Sequence, residues 1–290
     1  MPRVFVTLAR RLGALAATAV LGGLLTAALV RSSPGFDADE RQLDPRLNAE
    51  SRAQIADERR PDHDVLRFYV HYLAAMLRGD FGTSPSLQQP IAQLIASRLP
   101  VTLVMMTEGV AGGWLLAFAL LLPCAMLRGR VWASLSGAIS VGALCVPSAA
   151  VAVLIFSAGG PVPAAIAVVV FPRLFEYLRN LLADAWSRPH ILTARAKGLR
   201  PLRILVRHVL PVCAPEFLAL AGISVTMAFA ASIPVETLCD VPGIGQLAWK
   251  AAMARDLPLL VTLTTFIVLL TQFCNGLSDW LTVSCEGHRA

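Results

Sequence analysis

Nineteen consecutive uncharged residues, LGALAATAVLGGLLTAALV at Leu12–Val30, constrain this chain more than any other feature. As an α-helix they rise about 28 Å, close to the thickness of a bilayer's hydrocarbon core. Comparable runs recur at Leu99–Leu122, Val131–Ser157, Val162–Tyr177, Pro215–Val235 and Leu257–Leu281; the fourth is the weakest, since Arg173 and Glu176 follow closely. In hydrocarbon every backbone N–H and C=O must find its partner within the segment, which leaves the helix as the form such runs adopt. The expected fold class is an all-α membrane protein with six transmembrane helices. Composition agrees, with 56% hydrophobic and 15% charged residues among 290, against about 25% charged in a soluble domain. The first run exceeds the roughly 7–15 apolar residues of a cleaved signal peptide, so a retained helix is expected.

Lys and Arg in short loops set orientation. With the N-terminus inside, segments 1–11, 123–132, 179–214 and 282–290 hold thirteen of them, and the short external segments 158–161 and 236–256 hold only Lys250 and Arg255. Both termini are therefore expected in the cytoplasm. The expected organisation is an N-terminus and first helix over 1–30, an external loop over 31–98, a core over 99–281 with a cytoplasmic loop at 179–214, and a tail over 282–290. The net charge of +6 is accounted for in this way, without a nucleic-acid partner.

The 31–98 loop is balanced, nine Arg against ten Asp plus Glu, and its first half is too polar to build a core alone. Val65, Phe68, Tyr69, Tyr72, Leu73, Met76 and Leu77 then recur at helical spacing, predicting an amphipathic helix on the bundle or at the outer interface. It leads into Gly79-Asp80-Phe81-Gly82-Thr83-Ser84, a glycine-framed turn. Asp-Phe-Gly also occurs in protein kinases, but the accompanying glycine-rich loop and HRD sequence are missing from this chain.

No GxxxxGK[ST], HExxH or GxSxG motif occurs, and the five histidines and six cysteines form no metal-ligand spacing. The chain reads as neither an ATPase nor any other enzyme, with no metal or cofactor of its own. Glu108 is a single acid within the second apolar run. Two readings stand for it: a functional group, as ionisable residues at that depth are by default, or a hydrogen-bonded glutamate gluing two helices.

The stretch TARAKGLRPLRILVRHVLP, Thr193–Pro211, is basic and regularly punctuated. Arg188-Pro189 starts a helix, because proline at a first-turn position loses no hydrogen bond. Gly198 ends it, since glycine adopts the left-handed conformation without a Cβ penalty. Arg200-Pro201 then restarts a second short helix through Leu202, Leu205, Val206 and Val209 to Pro211. Two short helices and a bend make a compact cytoplasmic knob, suited to passing force from a soluble partner. The positive-inside rule explains its charge but not this punctuation.

TARAKGL followed by RHVLP, with nine residues between Gly198 and His208 and Leu210-Pro211 closing the stretch, resembles the cytoplasmic loop of the permeases of binding-protein-dependent ABC importers. Within them it is similar to the dipeptide, oligopeptide and nickel branch. The likeness extends in order along the chain. Gly79–Ser84 resembles GDxGxS, Arg98-Leu99-Pro100-Val101-Thr102 resembles RLPxT, and Val235-Glu236-Thr237 with Val241-Pro242-Gly243-Ile244-Gly245 resembles VETVFSLPGLG. Arg255-Asp256-Leu257-Pro258 resembles RDYP, and Asn275 and Asp279 sit where NLLxD is often found. Two departures stand out. Ser33-Pro34-Gly35-Phe36 is followed by a divergent polar segment where a PGDP element is common, and Ser187-Arg188-Pro189-His190 replaces an acidic and aromatic lead into TARAKGL.

The resemblance implies an ABC importer permease-like bundle that forms half of a translocation path for peptides or a similar small solute. It implies a second homologous permease subunit, two ABC ATPase subunits or domains that bind the ATP and Mg, and an extracytoplasmic solute-binding protein, in an inner membrane. It implies coupling to the ATPase through Ala194, Arg195, Ala196, Lys197, Gly198, Leu199, Arg203, Arg207, His208, Leu210 and Pro211. At the outer motif, Glu236, Asp240, Pro242, Gly243 and Gly245 either meet substrate or binding protein or form a tight turn that only packs. Two alternatives of other classes remain open: a non-transporting permease-like scaffold that recruits an ATPase, and a secondary transporter. The latter predicts paired intramembrane charges or inverted repeats, and only Glu108 is of that kind.

Overall fold

The computed structural model describes residues 13, 17, 18, 20–29, 65–127 and 130–287. The first half of the expected 31–98 loop and the C-terminal residues 288–290 lie outside them, as do parts of the expected first span. Nearly all described residues are helical: α1 Val20–Leu29, α2 Val65–Leu77, α3 Ile91–Leu127, α4 Arg130–Leu144 and α5 Ser148–Ser157. There follow α6 Val162–Ser187, α7 Pro189–Ala196, α8 Pro201–Leu238, α9 Ile244–Met253 and α10 Leu257–Gly287. A minimal antiparallel pair, Thr83–Ser84 with Gln89–Pro90, ties the turn after α2.

Among the described residues three helices are long and apolar enough to cross a bilayer, within α3, α8 and α10, and a fourth crossing is counted if the bent pair α4–α5 is one span. The expected span Val131–Ser157 is not one straight helix. It bends by 95° between Leu144 and Ser148, where Pro147 is extended at ψ 140° and its ring drives the preceding Val146 out of the helical region. The fourth expected span runs on beyond Tyr177 to Ser187, into a charged second half.

The fifth differs most. The restart at Pro201 occurs as expected, but the second short helix does not stop at Pro211; it passes through a π-turn, Leu205–Val209, into one helix ending at Leu238. Proline lacks the N–H for its i−4 carbonyl and its ring crowds that carbonyl. Widening the preceding turn to the π form relieves the conflict without ending the helix.

The chain divides into two compact units, Met1–Arg98 with Leu247–Leu270, and Leu99–Gln246 with Thr271–Ala290. In the first, Ala27, Tyr69, Leu257 and Val261 form a buried cluster flanked by Leu24, Tyr72 and Leu73, so the apolar face of α2 lies on α1 and α10. The Tyr69 hydroxyl donates to the Val20 carbonyl at 2.7 Å. The Tyr72 hydroxyl lies 2.9 and 3.0 Å from the Phe81 and Pro258 carbonyl oxygens and 2.6 Å from Thr262 Oγ1. Burial pushes its pKa above the ordinary tyrosine value, and Asp256 and Asp80 add to the rise; the group stays protonated and able to donate.

In the second unit α6 is central. Ile166, Val170, Leu174, Phe175, Leu178 and Leu182 follow one another at helical spacing and are all buried. Gly109, Gly112 and Gly113 of α3 face Ile166, Ala167 and Val170 with room for no larger group at Gly109, where an added Cβ would stand 2.6 Å from Ile166 Cβ. Close approach over small residues is how helices gain van der Waals contact where hydrocarbon removes the hydrophobic drive. Hydroxyls stitch α10 to α8: Ser278 donates to the Leu218 carbonyl and Thr282 to that of Pro215 at 3.2 Å.

Candidate functional site

Two constructions lie at opposite ends of α8, a rod of 38 residues and hence about 57 Å long. At its start is the basic knob. α6 ends at Ser187, Arg188 turns the chain at ψ 143°, and Pro189 opens α7. α7 closes with Gly198 N–H donating to the Arg195 carbonyl at 2.9 Å and Leu199 N–H to that of Ala194 at 3.4 Å. This bond pair requires a left-handed residue between helix and exit, and Gly198 supplies it at φ +71°.

Ile191, Ala194, Ile204, Leu205 and Val209 are buried and seat the knob on its own bundle. Ala194 packs inward, while Arg195, Ala196, Lys197, Gly198, Arg203, Arg207 and Pro211 are exposed and Leu199, His208 and Leu210 half-buried. The sequence reading missed the apolar part of this surface: Leu192, Leu202 and Val206 are 57%, 55% and 57% exposed. Helical spacing could have separated Leu202 and Val206 from Leu205 and Val209, once the turn between them was known to be π. The Arg195 guanidinium stacks 5.0 Å from the Trp186 ring centroid, and Asp184 pairs with Arg188 at 3.4 Å on the surface. From Ala185 to Pro215 the sequence carries six Lys and Arg and no acid.

At the far end of α8 is a buried carboxylate. Glu236 is 0% exposed. Its Oε1 accepts from Thr102 Oγ1 at 2.8 Å, and its Oε2 accepts from the backbone N–H of Gly245 at 2.7 Å and of Gln246 at 3.2 Å. Thr102 in turn accepts from Ile244 N–H at 2.8 Å. The acid thus sits on the N-terminus of α9, where unpaired N–H groups and the helix dipole favour negative charge. Gly243 and Gly245 make the approach possible: an added Cβ would stand 2.2 Å from Glu236 Oε2 at the first and 2.7 Å from Ile233 Cα at the second.

Glu236 thus has both carboxylate oxygens engaged inside the chain, within the tight turn. Gly243 and Gly245 are buried with it, whereas Asp240 and Pro242 are exposed. Asp240 holds a left-handed φ of 51°, one of the few that aspartate tolerates, and its Oδ1 accepts from Gln246 Nε2 at 2.6 Å.

A second buried acid was named in the sequence only as part of a motif. Asp256 is 3% exposed. Its Oδ2 accepts from Ser84 Oγ at 2.5 Å, Ser86 Oγ at 2.7 Å and Ser86 N–H at 3.1 Å, while Oδ1 caps α10 through Leu259 N–H at 3.1 Å. It clamps the turn after α2 to the start of α10, within one unit. Asp256→Ala leaves these donors without their acceptor, at a cost of about 2 kcal/mol. The unfolding midpoint of the detergent-solubilised protein is expected to fall by roughly 5 °C, read by intrinsic fluorescence. Glu108 is exposed on α3 and, among the described residues, takes no hydrogen bond from another side chain.

Long apolar helices with an exposed basic knob at one end and a buried carboxylate at the other are the frame of a membrane transport subunit rather than an enzyme. The chain belongs to the family of binding-protein-dependent transport system inner membrane components, whose pattern matches residues 109–285. It is similar to the oligopeptide transport system permease protein AppB of Bacillus subtilis, 24% identical over 89% of this chain and 90% of that one. The dipeptide transport system permease protein DppB of Lactococcus lactis subsp. cremoris is 26% identical over 94% of this chain and 95% of its own. The glutathione transport system permease protein GsiC of Salmonella typhimurium is 25% identical over 87% and 88%. The resemblance to the peptide permease branch, and with it the all-helical fold class, is borne out.

Proposed function

We propose that this chain forms half of the translocation path of an ATP-driven importer for peptides or a similarly built small solute, and couples to a cytoplasmic ATPase through its 188–211 loop. The observation that carries the reading is the knob: exposed Leu192, Leu202 and Val206 in a stretch with six Lys and Arg and no acid, whose second half from Pro201 continues into the 38-residue α8. A displacement of the knob is a displacement of the rod. ATP biases the path between outward- and inward-facing states by the difference in its affinity for them, and the knob is the link through which that difference acts.

On this reading a second homologous permease completes the path. Two ABC ATPase subunits or domains bind ATP and Mg, an extracytoplasmic solute-binding protein delivers cargo, and both termini face the cytoplasm. Peptide cargo is supported by what the relatives' names describe, oligopeptide, dipeptide and glutathione transport. The test is reconstitution of the chain with its partner subunits in vesicles. ATP-dependent uptake of a tripeptide, with ATP hydrolysis stimulated by loaded binding protein, is the expected result. ATPase recruitment without stimulation or uptake would establish the scaffold reading instead.

A further inference from the structure

Glu108 has no role in either construction at the ends of α8. No other charged residue lies between Arg98 and Arg128, and Glu108 stands ten residues past Arg98, about 15 Å into the span. Gly109 and Gly113 press α3 onto α6, but Glu108 points outward with Val104, Ala111 and Leu115, its neighbours at i−4, i+3 and i+7, all exposed. An ionisable group at such depth is strongly disfavoured against hydrocarbon and is found facing a bundle interior or a water-filled cavity.

We propose that this stripe of α3 borders the aqueous translocation path, and that Glu108 is the point where the cationic end of the cargo, the α-ammonium of a peptide, is met by opposite charge during passage. Val104, Ala111 and Leu115 then give the path an otherwise apolar wall, along which one fixed charge orients the cargo without trapping it. The inference rests on the reading of the chain as a peptide-translocating subunit.

The test uses the reconstituted transporter with two kinds of variant. Glu108→Cys, in a chain whose six native cysteines are replaced, is expected to react with a membrane-impermeant methanethiosulfonate, and buried Met105→Cys is not. With the native cysteines kept, Glu108→Gln is expected to lower the maximal uptake rate of trialanine about tenfold, and Glu108→Asp to restore it to within about twofold. An unreactive Glu108→Cys, or a Glu108→Gln rate equal to that of the wild type, overturns the inference while wild-type uptake leaves the proposed function standing. A wild-type transporter that takes up no trialanine brings down the cargo reading, and this inference with it.

Discussion

Glu236→Ala is expected to leave little folded protein. The substitution removes the acceptor for Thr102 Oγ1 and for the N–H groups of Gly245 and Gln246 at a fully buried position. Hydrogen bonds to a charged group contribute about 1.5–3 kcal/mol each, and buried donors left without a partner cost about as much. A loss of roughly 4 kcal/mol is a large part of a domain's usual stability. Size-exclusion of a fluorescent fusion should show aggregated or missing material.

Gly243→Ala should reproduce the defect with the acid still present, because its Cβ would overlap Glu236 Oε2. Asp240→Asn, on the exposed side of the same turn, should fold normally. A well-folded Glu236→Ala transporter with impaired affinity for cargo or binding protein would instead return Glu236 to the path.

The second large effect is at the knob. At Gly198 the backbone is left-handed, φ +71°, and an added Cβ meets nothing within 4 Å. Packing therefore does not decide this position; backbone conformation does. An L-residue in that region costs about 1–2 kcal/mol, and β-branched side chains fit it worst. Gly198→Val is expected to unseat the bond pair that closes α7, swing Leu192 away from Leu202 and Val206, and cut ATP-dependent uptake by at least tenfold, a cost on the order of 1.4 kcal/mol in coupling. Gly198→Asn, which tolerates the left-handed form, should keep most activity. Membrane insertion and yield should match the wild type in both. Uptake by Gly198→Val at the wild-type rate would show that the bend does not position the docking surface.

Much of the fold was legible in the chain because it is written locally. Apolar runs of bilayer length place helices wherever they occur, and Pro189, Gly198 and Pro201 punctuate the knob through their own φ preferences. α2 was legible from its spacing of aromatic and aliphatic residues. The unbroken passage from Pro201 to Leu238 was not, because Pro211 reads as a stop unless a π-turn has already displaced the carbonyl it would strike. The bend at Pro147 was hidden for the opposite reason: hydropathy is blind to a single residue that removes one N–H and turns the chain.

The acids divide along the same line. By itself the sequence determined that three carboxylates, Glu108, Glu236 and Asp256, sit in or beside apolar helices, and that a basic knob separates two of the spans. Only the tertiary structure decided which are spent on the fold. Glu236 takes a donor from Thr102, 134 residues away, and Asp256 takes donors from Ser84 and Ser86, 172 and 170 residues away, so both are sealed. Among the described residues Glu108 meets no such donors, and it stays at the surface. A carboxylate's exposure depends on what distant segments bring to it, and that is set by packing, not by its neighbours in the chain.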